Sequence, residues 1–398
     1  MGVNEWRSRR AEIFFLPFAL PDGAGQELPL DAEVLSRRIP DLLHQILNGG
    51  PDADGPAGML EIHLPDEEAG AQWISLTEVP DVDEVLERIR DEAEPRALVT
   101  GELRSRVGTL EVQLTLNFAE PAQLPMVIHG VLDVLDPMHG LLSLAKHLSS
   151  TLRLPFHRPE TGALGTNATA FFEMLQGLDG AAKLQGDFFV EGEQGCVALV
   201  EPLVRAVEVD SSCGWALNAF AQAVFLALET GRATIDPFLD LIDRSLVAEP
   251  AHSEACVAVA ETLASLGRER RAESWLRHAT ELSATSPAAL ECLGVLLANR
   301  GESVEARELW QRGIEGGGGP DFFAHLGRLA FAEGRIEDGW EKFRRGIWRL
   351  WERSERRDEW DPTQFGPTVL LRYLAEHSFR QLCLEIIAKG EGAGGKAE

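Results

Sequence analysis

Three consecutive stretches decide the fold: SEACVAVAETLASLGRERRAESWLRHATELSATS (253–286), PAALECLGVLLANRGESVEARELWQRGIEGGGG (287–319) and PDFFAHLGRLAFAEGRIEDGWEKFRRGIWRLWE (320–352). Set beneath one another, at steps of 34 and 33 residues, they hold small residues in phase. The first has Ala260, Gly267, Ala272 and Ala279 with Leu276. The second has Gly294, Gly301 and Ala306 with Trp310, and the third Gly327, Gly334 and Gly339 with Phe343. Gly or Ala at shared offsets lets two helices cross with their backbones close, and large residues such as Trp310 and Phe343 fill the gap to the neighbour. A hairpin of this kind cannot bury its apolar face alone, so successive hairpins stack into a continuous core with a curved groove.

The pattern resembles the tetratricopeptide repeat (TPR). That resemblance implies a groove lined by offsets 2, 5, 9 and 12 of each first helix. These are Glu254, Val257, Glu261 and Ala264; Ala288, Glu291, Val295 and Ala298; and Asp321, Ala324, Arg328 and Phe331. Four acids against one base, among apolar positions, point to a basic or amphipathic peptide as partner. We take Glu254, Val257, Glu261, Glu291, Val295, Asp321, Arg328 and Phe331 as the expected partner-binding residues. The Lys/Arg/Asn clamp with which chaperone-binding members of the family hold a terminal carboxylate is missing. The plain alternative is an ordinary solvated face on an acidic protein. A looser unit near 217–252 keeps Gly231 and Pro250 but carries an insertion around Thr234–Pro237, and 167–210 and 363–388 could supply degenerate or capping helix pairs. The Gly316–Gly319 run reads as a hinge, and Gly390–Glu398 as a frayed tail.

The amino-terminal half alternates between strand and helix patterns. Ile13–Phe18 is a short apolar run of the buried-strand kind. Behind Asp31 as a helix cap, Leu35, Ile39, Leu42 and Ile46 recur at helical spacing until Gly49 and Gly50, with Pro40 predicting a kink or a split. Leu60, Ile62 and Leu64 alternate as a strand; Val82, Val85, Leu86 and Ile89 form a helical stripe behind Asp81. Ala97–Gly101 leads through a turn at Gly108 into Leu110, Val112, Leu114, Leu116 and Phe118, alternating with polar residues as one strand of an antiparallel pair. A further strand near Met126–Leu135 and a helix carrying Leu141, Leu144, Ala145, Leu148 and Leu152 close the domain. This order, with Leu16-Pro17-Phe18 ending the first strand and Leu98-Val99-Thr100-Gly101 opening the hairpin, resembles the TolB amino-terminal domain over roughly 140 residues. The resemblance implies a mixed sheet flanked by helices and used for recognition rather than catalysis.

Sixty-four Asp and Glu against 37 Lys and Arg leave a formal net charge of -27 over 398 residues, shared by residues 1–160 (-14) and 161–398 (-13). Such a surface repels a phosphate backbone, so nucleic acid is disfavoured as a partner. The exception is a basic island, Lys342, Arg344, Arg345, Arg349, Arg353, Arg356 and Arg357 with Trp348 and Trp351 interleaved, although the helical spacing of Trp340, Phe343, Ile347 and Leu350 reads first as a core face. No apolar stretch reaches the roughly 18 residues of a membrane helix, and Ile13–Leu20 behind Arg7, Arg9 and Arg10 is too short for an export signal. Cys196, Cys213, Cys256, Cys292 and Cys383 form no CxxC pair and read as small buried hydrophobes. Glycine spacings in the 390–396 tail lack the strand and helix a phosphate loop needs, and His139 and His147 have no third ligand.

The expected protein is therefore an α+β two-domain chain: a mixed α/β domain (1–156), a linker (157–166), a TPR-like helical array (167–388) and a tail (389–398). Its expected role is a cytoplasmic, bacterial-type, non-catalytic adaptor without cofactor or metal. Alternatives are a homo-oligomeric structural subunit and, less favoured, a nucleic-acid-associated protein using the Lys342–Arg357 helix.

Overall fold

The computed structural model describes residues 2–4, 12–20, 30–48, 57–59, 61–66, 70–73, 81–90, 95–120, 123–156, 158–159, 163–185, 190 and 192–353. The expected helix pair at 363–388, the tail, Cys383, Leu60, Arg356 and Arg357 lie outside them. The chain divides into two compact units, Met1–Ala255 and Cys256–Glu398.

The first unit runs β1 (Gly2–Asn4), β2 (Ile13–Phe15), α1 (Ala32–Asn48), β3 (Ala57–Met59), β4 (Glu61–Asp66), β5 (Gly70–Trp73), α2 (Val82–Arg90), β6 (Ala97–Arg106), β7 (Thr109–Phe118), β8 (Met126–Asp133) and α3 (Pro137–Leu152). It continues through α4 (Ala168–Gln185), α5 (Gly192–Val209), α6 (Gly214–Glu229) and α7 (Leu239–Val247). A mixed five-stranded sheet has the order β3-β2-β6-β7-β8, parallel across β3, β2 and β6 and antiparallel from β6 to β8. A second sheet joins β1, β4 and β5. The hairpin expected from period-two alternation is β6–β7: Arg106 pairs with Thr109, so the turn is Val107–Gly108, with Gly108 at φ +74°. Leu110, Val112, Leu114 and Leu116 are buried, and Phe118 is half-buried. Strand β2 is buried on both faces, as a central parallel strand should be. Phe14 and Leu16 pack with Leu98, Leu86 and Ile89, which sets α2 on that side.

Helix α1 departs from expectation. Asp31 caps it by accepting from Glu33 N–H at 3.0 Å, and Pro40 does not split it: the helix runs unbroken from Ala32 to Asn48. A proline leaves the carbonyl four residues earlier without its donor. Here that carbonyl, on Ser36, accepts from Phe18 N–H at 2.9 Å, and Ser36 Oγ donates back to the Phe18 carbonyl. The missing helix bond has become the bond that docks the chain after β2 onto α1. Arg37 and Arg38, 6% and 4% exposed, point instead at α4, where Asp179 receives Arg37 at 2.9 and 3.1 Å and Arg38 at 3.2 Å.

The end of the expected linker is anchored. Ala163 and Leu164 are buried. The Asp210 carboxylate accepts from Thr166 N–H and Oγ (2.9 Å), from Asn167 N–H (3.0 Å) and from Ser212 N–H (3.0 Å) and Oγ (2.6 Å). Burial pushes this carboxyl up, but the Ser212 and Thr166 bonds outweigh it and hold it at about 2. Asp210→Ala removes these bonds and should cost on the order of 1 kcal/mol in a urea unfolding curve, since Thr166 and Asn167 are exposed and can turn to water. Because the folded value lies below the ordinary 3.8, this contribution is complete above that pH and fades as pH falls toward 2. The insertion near Thr234 is likewise tied down, Thr234 N–H and Oγ donating to Glu193 at 2.7 and 2.8 Å.

The second unit holds α8 (Ser253–Ser265, from Cys256 onward), α9 (Glu269–Leu282), α10 (Pro287–Asn299), α11 (Ser303–Glu315), α12 (Pro320–Ala332) and α13 (Ile336–Arg353). A Cβ on Gly294 would lie 2.3 Å from the Trp310 ring, and one on Gly327 2.7 Å from Phe343. Both aromatics therefore seat first against the small residue of their own hairpin, where the sequence had suggested the gap to the neighbour. The glycine run expected to hinge is a packing slot: the Phe322 ring fills the space beside Gly313 and Gly318, 2.4 Å from a Cβ at either. Gly318 N–H closes the end of α11 on the Gly313 carbonyl at 2.8 Å. Between hairpins runs a charge ladder, Glu273 to Arg300 (2.6 Å) and Arg307 to Glu333.

Candidate functional site

Helices α8, α10 and α12 are the first helices of successive hairpins and carry the expected partner-binding residues. Glu254 and Glu261 are exposed on α8; Glu291 and Val295 are half-buried on α10; Asp321 is half-buried and Arg328 exposed on α12. Two residues sit elsewhere than expected. Val257, 4% exposed, belongs to the core. Phe331 is half-buried within its own hairpin, stacked on Phe343 (5.6 Å between centroids) and edge-on to Trp340 (5.3 Å).

The structure brings Glu261, Glu291 and Asp321 together with three residues that the groove offsets passed over. The Cys292 thiol donates to Glu261 Oε1 at 3.3 Å. His325 Nε2 lies 3.1 Å from Glu291 Oε1, and its ring stacks on Trp310 with centroids 4.9 Å apart. Trp310 Nε1–H donates to the Glu291 carbonyl at 3.4 Å. Cys292 and His325 share offset 6 of their repeats, so the repeat phase itself was the signal that could have found them. Burial, then repulsion from Glu291, pushes the Asp321 carboxyl above its ordinary range, with His325 pulling the other way. Burial, then the Glu261 and Glu291 charges, pushes the Cys292 thiol well up. It is held as the thiol, the unreactive form. The other described cysteines are also raised, chiefly by burial: Cys213 and Cys256 to about 12, and Cys196 in the same direction.

What separates these acids from Glu273, Glu305 and Glu333 is the identity of their partners. Glu273 is held by Arg277 and Arg300, Glu305 by Arg277, and Glu333 by Arg307 and Arg335. Glu261 and Glu291 have a thiol and an imidazole, and among the described residues no Lys or Arg pairs with either, with Glu254 or with Asp321. In the basic island, Arg344 and Arg345 both reach Glu341, at 3.3 and 3.2 Å. Among the described residues no group of His, Cys, Asp and Glu could hold a metal ion, and no helix is long and apolar enough to cross a membrane.

No family model matches the chain, and no curated protein matches it by sequence. Solved structures resemble parts of the chain at low identity. YrrB, described as a TPR protein with an unusual peptide-binding site, is 18% identical over 52% of this chain and 90% of its own, with a TM-score of 0.34. A MamA structure gives 14% over 43% and 93%, TM-score 0.32. TTC0263, described as a thermophilic TPR protein in Thermus thermophilus, gives 16% over 44% and 91%, TM-score 0.29. Likeness this distant carries no weight, and the hairpin geometry stands by itself: a small residue at offset 8 beneath an aromatic at offset 24, twice in phase. The helical hairpins are TPR-like. Such TPR-like hairpins, following a mixed sheet, give the chain an α+β layout.

Proposed function

We propose that the protein is a non-catalytic adaptor whose TPR-like hairpins hold a basic or amphipathic partner segment against Glu254, Glu261, Glu291 and Asp321. Residues 167–388 act as the repeat module. Residues 1–156, akin to the TolB amino-terminal domain, serve as a second recognition module, so that one partner is concentrated near another. The observation that carries this reading is a contrast in partners: Glu273, Glu305 and Glu333 are held by arginine, whereas Glu254, Glu261, Glu291 and Asp321 have no cation from this chain among the described residues. A carboxylate in that position gains most from a cation brought by something else.

The test is fluorescence anisotropy with a labelled amphipathic helix of Leu and Lys, at about 0.15 M salt, against the wild type and the variant Glu254→Lys, Glu261→Lys, Glu291→Lys, Asp321→Lys. We expect roughly tenfold weaker binding or more, given about 0.2–1 kcal/mol per exposed pair. The control reverses the exposed acids Glu269, Glu281, Glu308 and Glu315 and should keep most of the affinity. Equal loss in both variants would reduce the effect to net charge and sink the groove reading.

A further inference from the structure

Three helices of the second unit converge on His325. It lies on α12 and is 5% exposed. The Trp310 ring from α11 lies flat against it, 16° from parallel, and the Glu291 carboxylate from α10 meets Nε2. Trp310 can take this place because Gly294 leaves room beneath it. On its own helix Asp321 precedes His325 by one turn, and exposed Arg328 follows it. From α13, the aromatics that reach α12 are Trp340 and Phe343, both uncharged. The imidazole is thus bounded by an indole face and by two carboxylates that repel one another.

Histidine is the side chain suited to take up a proton in the physiological range. A proton here converts the contact with Glu291 into a charge-assisted hydrogen bond and the stack on Trp310 into a cation–π contact. We propose that His325 is a proton-operated clasp between the second and third hairpins: on acidification it ties α12 to α10 and α11, and it withdraws Glu291 from the acidic face. The clasp stands on the geometry of these three helices alone. Its effect on a partner, weaker capture of a basic segment in acid, rests on the adaptor reading above.

The experiment compares full-length wild type with His325→Gln, which can still donate to Glu291 but cannot be charged, and with Glu291→Gln, which keeps the histidine but removes its anionic partner. Melting temperature is followed from about pH 8 to about pH 5.5, the range in which histidine titrates. Tryptophan emission is recorded in parallel, because the imidazole lies on an indole. The wild type should gain on both variants as pH falls, by roughly 2–4 °C, with an emission change that His325→Gln lacks. Differences that stay constant across the range overturn the proposal. The Leu/Lys helix is then titrated at both ends of the range. A roughly threefold or greater loss of affinity in acid, shown by wild type and absent from His325→Gln, supports the coupling. If the clasp is seen in melting and emission but the helix binds at neither pH, the clasp stands and the adaptor reading falls.

Discussion

Asp179→Ala should cost on the order of 3–5 kcal/mol, the scale for removing one partner of a buried ion pair. Asp179 is 2% exposed and meets Arg37, Arg38 and, at 3.2 Å, Lys183. Without it two guanidiniums remain in the interior. Arg38 keeps Asp41 at 3.0 Å, while the Arg37 contact to Glu33 is longer, at 3.7 Å, and reaches an exposed carboxylate. Urea unfolding should show the loss as a lower midpoint at unchanged slope. The pH dependence has a defined sign. Burial pushes the Asp179 carboxyl up, but Arg38, Arg37 and Lys183 outweigh it and hold it at about 2 against an ordinary 3.8. Its contribution is therefore complete above about pH 4 and is lost as pH falls toward 2, a window that Asp179→Ala should lack.

The second large effect is expected at Gly180, where the usual rule reverses. Alanine in place of a mid-helix glycine ordinarily stabilises by about 0.5–1 kcal/mol. On α4 a Cβ at Gly180 would stand 2.0 Å from the Leu199 carbonyl oxygen of α5, and one at Gly177 2.8 Å from Leu203 N. These obstacles are backbone, so no rotamer change relieves them. Gly180→Ala should instead cost about 3 kcal/mol, at the upper end of overpacking, and thermal unfolding reads the sign directly. A melting temperature equal to or above that of the wild type would mean that α4 and α5 do not cross this closely.

The repeats were legible because close helix crossings demand small residues, and small residues at a fixed period are visible without coordinates. Gly294 beneath Trp310 and Gly327 beneath Phe343 are that demand met twice. What fills the space beside a glycine is not visible in the same way. The Gly316–Gly319 run reads as slack until Phe322 is seen between Gly313 and Gly318, and Pro40 reads as a break until the Ser36 carbonyl finds Phe18. Long-range charge is harder still. Arg37 and Arg38 are buried against Asp179, 142 and 141 residues on, a pairing that no local spacing announces. In the candidate site the acids were placed by repeat phase, whereas Val257 went to the core and Phe331 stacks on the aromatics of its own hairpin, because one offset can face inward in one hairpin and outward in the next. His325 and Cys292 escaped notice because their role depends on neighbours from other hairpins.

The charge ladder bears on how this chain can have grown. Offset 21 of one hairpin meets offset 14 of the next, as Glu273 with Arg300, and then with the signs exchanged as Arg307 with Glu333. A tandem duplicate of the Pro287–Glu315 hairpin would set Arg307 against a second Arg300, like against like. Each rung is worth little alone, about 0.2–1 kcal/mol, yet the alternation gives the hairpins a syntax: each has an assigned successor. Lengthening by simple copying is penalised, and a hairpin transplanted into this chain needs its two rung residues rewritten before its core.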